Sequence, residues 1–531
     1  MTSRTAAFLL FISLGITTTR AAAAPADLLI RGGTVYAGDL AEGSVADIAI
    51  RGDRIVLVGD AGRAGVKAKR ILDATGLVVA PGFIDPHVHT DDELFSENPR
   101  LRINAPNLAQ GVTTNILGVD GGGEPEVAAL FRKGARLGVG TNFATYVGFS
   151  PIRERVLGES SREPTPDELS RMKALVRKGM CEGALGFSTG LFYAPQSYAR
   201  TEEVIELARE AARYGGLYDS HQRDESSGGP GSIGIEKSVE EFLRISREAG
   251  LPGHLAHLKN SGVFSWGKSE TIIGLIEAAR ASGLEITADQ YPYLASSGSV
   301  ASILLPRWAL DGGRDATLAR LADSAQAPAI RQEMTKFLAG RGGGRNLRIT
   351  ERDSPFLGKT LADIATAWKV GEIDAAIRLY REGDVAMAIF TINPDDARAY
   401  MKRPWVMSSS DGSDGHPRKY GSFATLYDTY VVKEHVLTLA QFIHRSTALP
   451  ADTLRLADRG RLEEGLMADV IAFDPKRFAP QATYEQPERL AQGMVYVIVN
   501  GQLAWDEGKS TGARAGRALP RALPAGTCKT E

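Results

Sequence analysis

The stretch Gly82-Phe83-Ile84-Asp85-Pro86-His87-Val88-His89, with the apolar run Leu77-Val78-Val79-Ala80 before it, decides how this chain is read. Taken as one strand, the run sends alternate side chains to opposite faces, so His87 and His89 point the same way. Two imidazoles on one face at the end of a buried strand make a metal chelate. A His-x-His pair also arises by chance, so the rest of the chain has to support it.

Outward from this pair, helical and extended patterns alternate. Asp167 to Lys178 and Thr201 to Tyr214 carry a helical period, with Thr201 as N-cap before Glu202 and Glu203. Short apolar strands follow such helices at 183–188, 216–220, 255–258 and 284–289. Alternating β and α predicts a parallel sheet, and about eight such units fit, giving an α/β, TIM-like (β/α)8 barrel over 81–454. The stretch Ser299 to Asp384 breaks the rhythm and reads as an insertion over the barrel mouth, its Gly340-Arg341-Gly342-Gly343-Gly344-Arg345 run a loop tip. Strand patterns near 27–36, 47–59, 465–474 and 495–502 predict a small β-sandwich domain built from both termini, over 25–80 and 455–520.

The 531 residues hold 43% hydrophobic and 24% charged side chains, the balance of an ordinary globular protein. A net charge of −2 gives no basic field for nucleic acid or an anionic membrane, and nothing marks the oligomeric state. Cys181 and Cys528 lie mid-chain and in the tail, which argues against a disulfide framework. At the N-terminus, Arg4, the apolar stretch Ala6 to Ile16 and the small-residue run Ala21 to Pro25 form a secretory signal over 1–24. The apolar stretch is too short to span a bilayer, so the expected location is the periplasm or outside.

Polar residues recur where the strands end, the place a barrel builds its chemistry. His87 and His89 end the first; Asp120 follows Thr113 to Val119; His221 follows Tyr218-Asp219-Ser220; His257 lies in Leu255-Ala256-His257; Asp411 follows Trp405 to Ser410. His254 is out of phase with His257 and reads as a packing residue. His435 and His444 lie in helical stretches and read as surface or core.

These motifs resemble the N-acyl-D-amino-acid deacylase (D-aminoacylase) family of the amidohydrolase superfamily, over nearly everything after the signal segment. The marks are 82–92, Gln110-Gly111-Val112-Thr113-Thr114, 186–195, Ser220 to Glu225, His257-Leu258-Lys259, 288–293, Ser410-Asp411-Gly412 and 416–423. The resemblance implies zinc and hydrolysis of an amide bond in a small N-acyl amino acid. His221, His257 and Asp120 would hold one tight zinc ion, while His87, His89 and Asp411 flank it and hold a second, weaker one. Asp411 would be the general base for water and the acid for the leaving amine. A substrate carboxylate needs a positive or hydroxyl partner. Lys259 leads, with Arg223, Arg418, Tyr193 and Tyr291 as other candidates.

Two departures from the family stand out. Where many relatives carry a cysteine ligand, this chain has Val119-Asp120-Gly121, a harder ligand that unsettles metal preference. Where a Gly-His is usual, it has Gly148-Phe149, which is expected to change the pocket. A dipeptidase or a cyclic-amide hydrolase would share the barrel and the histidines, and a binding protein on the same fold is a third reading.

Overall fold

A computed structural model describes residues 24–524 and 528, so the signal segment apart from Ala24 lies outside the described residues. Strand Phe83–Asp85 pairs in parallel with Val112–Leu117, which pairs with Asn142–Thr145. A second parallel sheet runs Val147–Gly148, Gly186–Gly190, Leu217–His221, Gly253–Leu255, Ile286–Gln290 and Val406–Ser408 in that order. Only Tyr146 separates the two sheets at one edge. At the other, Val88 bridges Gly412 in parallel and Asp411 N–H donates to the His87 carbonyl at 2.9 Å. The order is compatible with a barrel. These strands are buried almost throughout, as parallel strands covered on both faces must be.

Helices cover the strands from outside. Pro166–Cys181 starts where a helix should: Thr165 caps the Glu168 N–H, Glu168 reaches back to the Thr165 N–H, and Pro166 occupies the first turn. Ile235–Ala249 buries Ile235, Val239, Phe242, Leu243 and Ile245 on one stripe, packed with Phe187 and Tyr218 of the strands. Thr201 is not an N-cap: it is the first residue of Thr201–Ala212, and its hydroxyl donates to Glu241 Oε1 at 2.7 Å instead.

The run before the histidines is not one strand. Val78–Pro81 belongs to a nine-stranded sheet built from both ends of the chain, and Phe83–Asp85 begins the parallel set. The switch falls at Gly82, whose N–H donates to Asp469 at 2.9 Å while the next N–H donates to Gly111 at 2.9 Å. A Cβ at Gly82 would occupy the Thr113 side chain, so only glycine permits the crossing. In the nine-stranded sheet, Ala26–Val35 pairs with Ser44–Arg51, which turns at Gly52-Asp53 into Arg54–Gly59. From the other end, Val470–Phe473, Met494–Val499 and Gln502–Asp506 continue it.

The insertion has its own core. Strands Ser296–Ser299 and Leu347–Ile349 flank Ala386–Ile389, all antiparallel, under helices that include Ala327–Gly340 and Glu372–Glu382. The glycine-rich run is not a free tip: Gly340 ends a helix and Arg341 is buried.

Cys181 and Cys528 form a disulfide, against expectation. The chain end returns along the body, with Leu519 N–H on the Phe143 carbonyl and Arg521 N–H on that of Gly183. That return brings a residue distant in sequence to the end of helix Pro166–Cys181.

Candidate metal centre

Four imidazoles converge on one carboxylate at the C-terminal ends of the strands. Asp120 Oδ1 lies 3.5 Å from His87 Nε2, 3.5 Å from His221 Nδ1 and 3.3 Å from His257 Nε2. Its Oδ2 lies 3.5 Å from His89 Nε2. Asp411 Oδ1 stands beside them, 3.4 Å from His89 Nε2 and 3.8 Å from His87 Nε2.

The local backbone explains the convergence. Asp120, His257 and Asp411 all sit at positive φ, +54°, +35° and +47°, where a non-glycine residue is strained. Each ends a strand in a sharp turn that tips its side chain inward. Neighbours hold the turns: Gln196 Nε2 donates to the Asp120 carbonyl at 3.0 Å, and Ser188 Oγ accepts the Gly121 N–H at 2.9 Å. Asp85 Oδ1 accepts the N–H groups of His87 and Ser410 at 3.3 and 3.0 Å, tying the first strand end to the last. Burial pushes the Asp85 carboxyl up to about 7.

Both ring nitrogens of His87 and His221, and Asp120 Oδ1, are buried without a hydrogen-bond partner. Their separations are long for hydrogen bonds and right for a shared cation, since two ligands about 2.1 Å from a tetrahedral ion lie about 3.4 Å apart. Two sets of ligand atoms converge among the described residues: His87, His89 and Asp120, and Asp120, His221 and His257. The second of these is the set that the resemblance implies for the tight ion. The other uses Asp120 a second time, with Asp411 just outside it. The donors fit a metal ion.

Electrostatics point the same way. Burial opposes a charge on His89 and His257, yet Asp120 with Asp411 or Glu225 overrides it and carries each to about 10. Burial is likewise outweighed at His87, which Asp120 raises, whereas burial and the neighbouring His257 lower His221. Protons thus balance the carboxylates where a cation would. Asp411 is buried, which resists ionisation, but Arg418 Nη1 donates to its Oδ2 at 2.5 Å and holds it well below the usual range.

Glu225 completes the centre and was not among the residues singled out from the sequence. Its Oε1 lies 3.1 Å from His257 Nδ1, 3.8 Å from His221 Nε2 and 2.5 Å from Lys259 Nζ. Its place four residues after His221, in the polar run that follows that strand, was the available signal. His254 packs below, with Nε2 at 2.8 Å from Asp289 Oδ2, as its phase suggested.

A cavity of about 710 Å³ opens over the centre, and Tyr193, Lys259 and Arg418 are on its wall. Tyr291 stands behind them, with the cations of Lys259 and Arg418 5.6 and 5.1 Å from its ring centre. Arg223 is elsewhere: it pairs with Glu241 at 2.8 Å and donates to the carbonyls of Ser197 and Ala199. Phe149 does not reshape the pocket either. It is buried in the apolar core against Phe187, and Ser150 faces the cavity instead.

Strand-end histidines and a carboxylate over a cavity define a metal-dependent hydrolase centre, and the chain matches the model of the amidohydrolase family over residues 70–504. It belongs to that family. Within it, the chain is 32% identical to the D-aminoacylase of Alcaligenes xylosoxydans xylosoxydans over 94% of its own length and 98% of that protein. A solved D-aminoacylase with a binuclear metal centre superposes with a TM-score of 0.79 at 31% identity, covering 94% of this chain and 100% of that one. The N-acyl-D-glutamate deacylase of Bordetella bronchiseptica, solved with zinc and a phosphonate inhibitor, gives 0.79 at 30% identity with the same coverage.

Proposed function

We propose that this protein hydrolyses the amide bond of N-acyl-D-amino acids, releasing a carboxylic acid and a D-amino acid. The observation that carries this is the single Asp120 carboxylate set 3.3 to 3.5 Å from four imidazoles on the floor of the cavity. The relatives support the substrate class. We take the parallel strands as one (β/α)8 barrel and the terminal sheet as a β-sandwich domain, over 25–80 and 455–520.

Zinc is the ion we assign, with Asp120, His221 and His257 holding it tightly and His87 and His89 offering a second, weaker position. Bound there, it supplies Lewis acidity and lowers the pKa of water toward about 7. Asp411 takes a proton from the attacking water and returns it to the nitrogen as the C–N bond breaks. Arg418 now holds that carboxylate ionised but weakly basic. A substrate α-carboxylate that draws Arg418 toward itself raises the proton affinity of Asp411 as catalysis begins. Lys259 and the Tyr193 hydroxyl fix the same carboxylate and so the chirality. The Tyr291 hydroxyl, buried without a partner, is the fourth contact.

Initial rates on N-acetyl-D-amino acids, their L-enantiomers, dipeptides and hydantoins test this, before and after chelation and zinc return. Turnover of the D-series, lost to the chelator and restored by zinc, is expected. Faster hydrolysis of dipeptides or hydantoins would replace the reading with a dipeptidase or cyclic-amide hydrolase.

Export follows from the segment 1–24, and the Cys181–Cys528 disulfide supports it, since such bonds persist in oxidising compartments. No helix among the described residues is long and apolar enough to cross a membrane. Mature protein from the host should begin near Ala24 or Pro25. N-terminal sequencing that finds Met1 on the soluble protein overturns export.

A further inference from the structure

Beside the cavity over the metal centre, and sharing Tyr193, Ser226 and Ile303 with it, lies a lobe of about 160 Å³ walled by Ala301, Leu305, Leu310 and Phe337 of the insertion. Arg341 lines both spaces. Its N–H bonds to the carbonyls of Phe337 and Leu338 at 3.1 Å, and Asn346 Nδ2 donates to its carbonyl at 2.9 Å, so the residue is firmly placed. It is only 7% exposed. Its Nη1 donates to Ser261 Oγ at 3.0 Å, and no carboxylate of the described residues forms an ion pair with it.

The other two Lys or Arg cations on the cavity wall are paired, Lys259 with Glu225 and Arg418 with Asp411, each at 2.5 Å. A second arginine of the lobe, Arg307, donates to the carbonyls of Phe192 and Arg223 at 3.2 and 3.0 Å. The one acid of the lobe, Asp224, is committed. It accepts from Ser226 N–H and Oγ at 3.0 and 2.8 Å, from Gly234 N–H at 3.2 Å, and from the Ser232 hydroxyl. The buried Arg341 and the half-buried Arg307 thus share the occupied Asp224, and the other carboxylate that acts on Arg341, Glu225, is paired with Lys259. Burial works against the charge on both arginines. A buried cation without a counter-ion is costly, and a planar guanidinium is built to take a carboxylate by two parallel bonds.

We infer that this lobe binds a second anionic group of the substrate, with Arg341 as its donor. The ligands that fit are N-acyl-D-amino acids with a carboxylate beyond the α-carboxylate, on the side chain or at the end of a dicarboxylic acyl group. The inference rests on the deacylase reading above and adds the substrate's second charge to it.

The test compares kcat/KM for two acid–amide pairs: N-acetyl-D-glutamate with N-acetyl-D-glutamine, and N-succinyl-D-alanine with its terminal succinamide. Wild type, Arg341→Met and Arg341→Lys are measured metal-loaded. Wild type should favour the acid of one pair by about 10- to 100-fold, the loss expected of one charge-assisted donor, and the favoured pair identifies the source. Arg341→Met should erase that preference through KM and leave the amides within about threefold, while Arg341→Lys keeps part of it. Its thermal midpoint should not fall, because an unpaired buried charge has gone. If wild type treats both acids and amides alike, the inference fails while the deacylase reading stands, whether or not the variants fold. An equal loss on acids and amides in a folded Arg341→Met also refutes it. If none of the four compounds nor any neutral N-acetyl-D-amino acid is hydrolysed, the deacylase reading fails with it.

Discussion

Replacing Glu225 by glutamine removes one negative charge and almost no volume, yet the carboxylate stands behind both histidines of the set proposed to hold the tight metal ion. Its Oε1 is 3.1 Å from His257 Nδ1 and 3.8 Å from His221 Nε2, while the other nitrogen of each ring faces Asp120. A carboxylate behind a ligating imidazole fixes its tautomer and orientation, and losing one costs about 10- to 100-fold in metal affinity. The same change orphans the Lys259 ammonium, whose side chain is 5% exposed and 2.5 Å from Glu225. Deleting one partner of a buried pair costs about 3–5 kcal/mol of stability.

The two effects separate in the double variant Glu225→Gln/Lys259→Met, which should regain most of the stability and none of the metal affinity. The assays are zinc competition with a chromophoric chelator and chemical denaturation of the stripped protein. Acidity gives a further check. Burial resists ionisation of Glu225, but Lys259 and the two histidines hold its carboxyl well below the ordinary 4.5. A depressed carboxylate stabilises the fold above its unfolded pKa and loses that contribution as pH falls below it. The stability gap between wild type and Glu225→Gln should therefore be full at pH 7 and shrink below about pH 4. A single variant within about 1 kcal/mol of wild type, with unchanged zinc affinity, would refute the reasoning.

Asp411→Asn should keep zinc, because His221, His257 and Asp120 are untouched, and lose about 10²–10⁴-fold in turnover. Loss of zinc together with activity would make Asp411 primarily a ligand. Metal uptake by the stripped protein should release protons, because His89 and His257 are raised to about 10 and are charged below that pH. Zinc affinity should therefore fall as the solution is acidified, and calorimetry in buffers of different ionisation enthalpy counts the protons; none released would contradict the histidine assignment. Lys259→Met should raise KM for N-acyl-D-amino acids far more than for their neutral amides. Equal effects would show that Lys259 serves Glu225 alone.

The side chains that converge on Asp120 were legible in the sequence because each follows a strand that chemistry forces to be apolar, so a lone polar residue at its end is conspicuous. Residues whose role depends on a distant partner were not. Arg223 has the charge of a carboxylate reader, but Glu241 and two carbonyls claim it, and only the fold shows that. Arg341 suffered the reverse: its glycine neighbours signal a loop, and nothing local announces that the insertion folds it into the cavity. The break at Gly82 hid for a similar reason. Two strands of different sheets can abut in sequence as one apolar run, and the change of hydrogen-bond partner from Asp469 to Gly111 leaves no mark in composition. Cys528 likewise reaches Cys181 only because the tail first pairs along Phe143 and Gly183.

Asp120 shows how far residue type and geometry must be read together. At this position a thiolate offers one donor atom. The carboxylate offers two, and they divide the work: Oδ1 faces His87, His221 and His257, while Oδ2 faces His89. The two converging ligand sets share this one residue, so its charge is common to both positions. An ion in one position would therefore draw on the charge that the other needs, which is the ground for proposing that a second ion is held with less. Asp411 Oδ1 stands at a comparable distance, 3.4 Å from His89 Nε2 and 3.8 Å from His87 Nε2, while Arg418 holds its other oxygen. The Arg418 contact thus keeps Asp411 ionised at the edge of the centre, which is the state the proposed proton transfer requires of it.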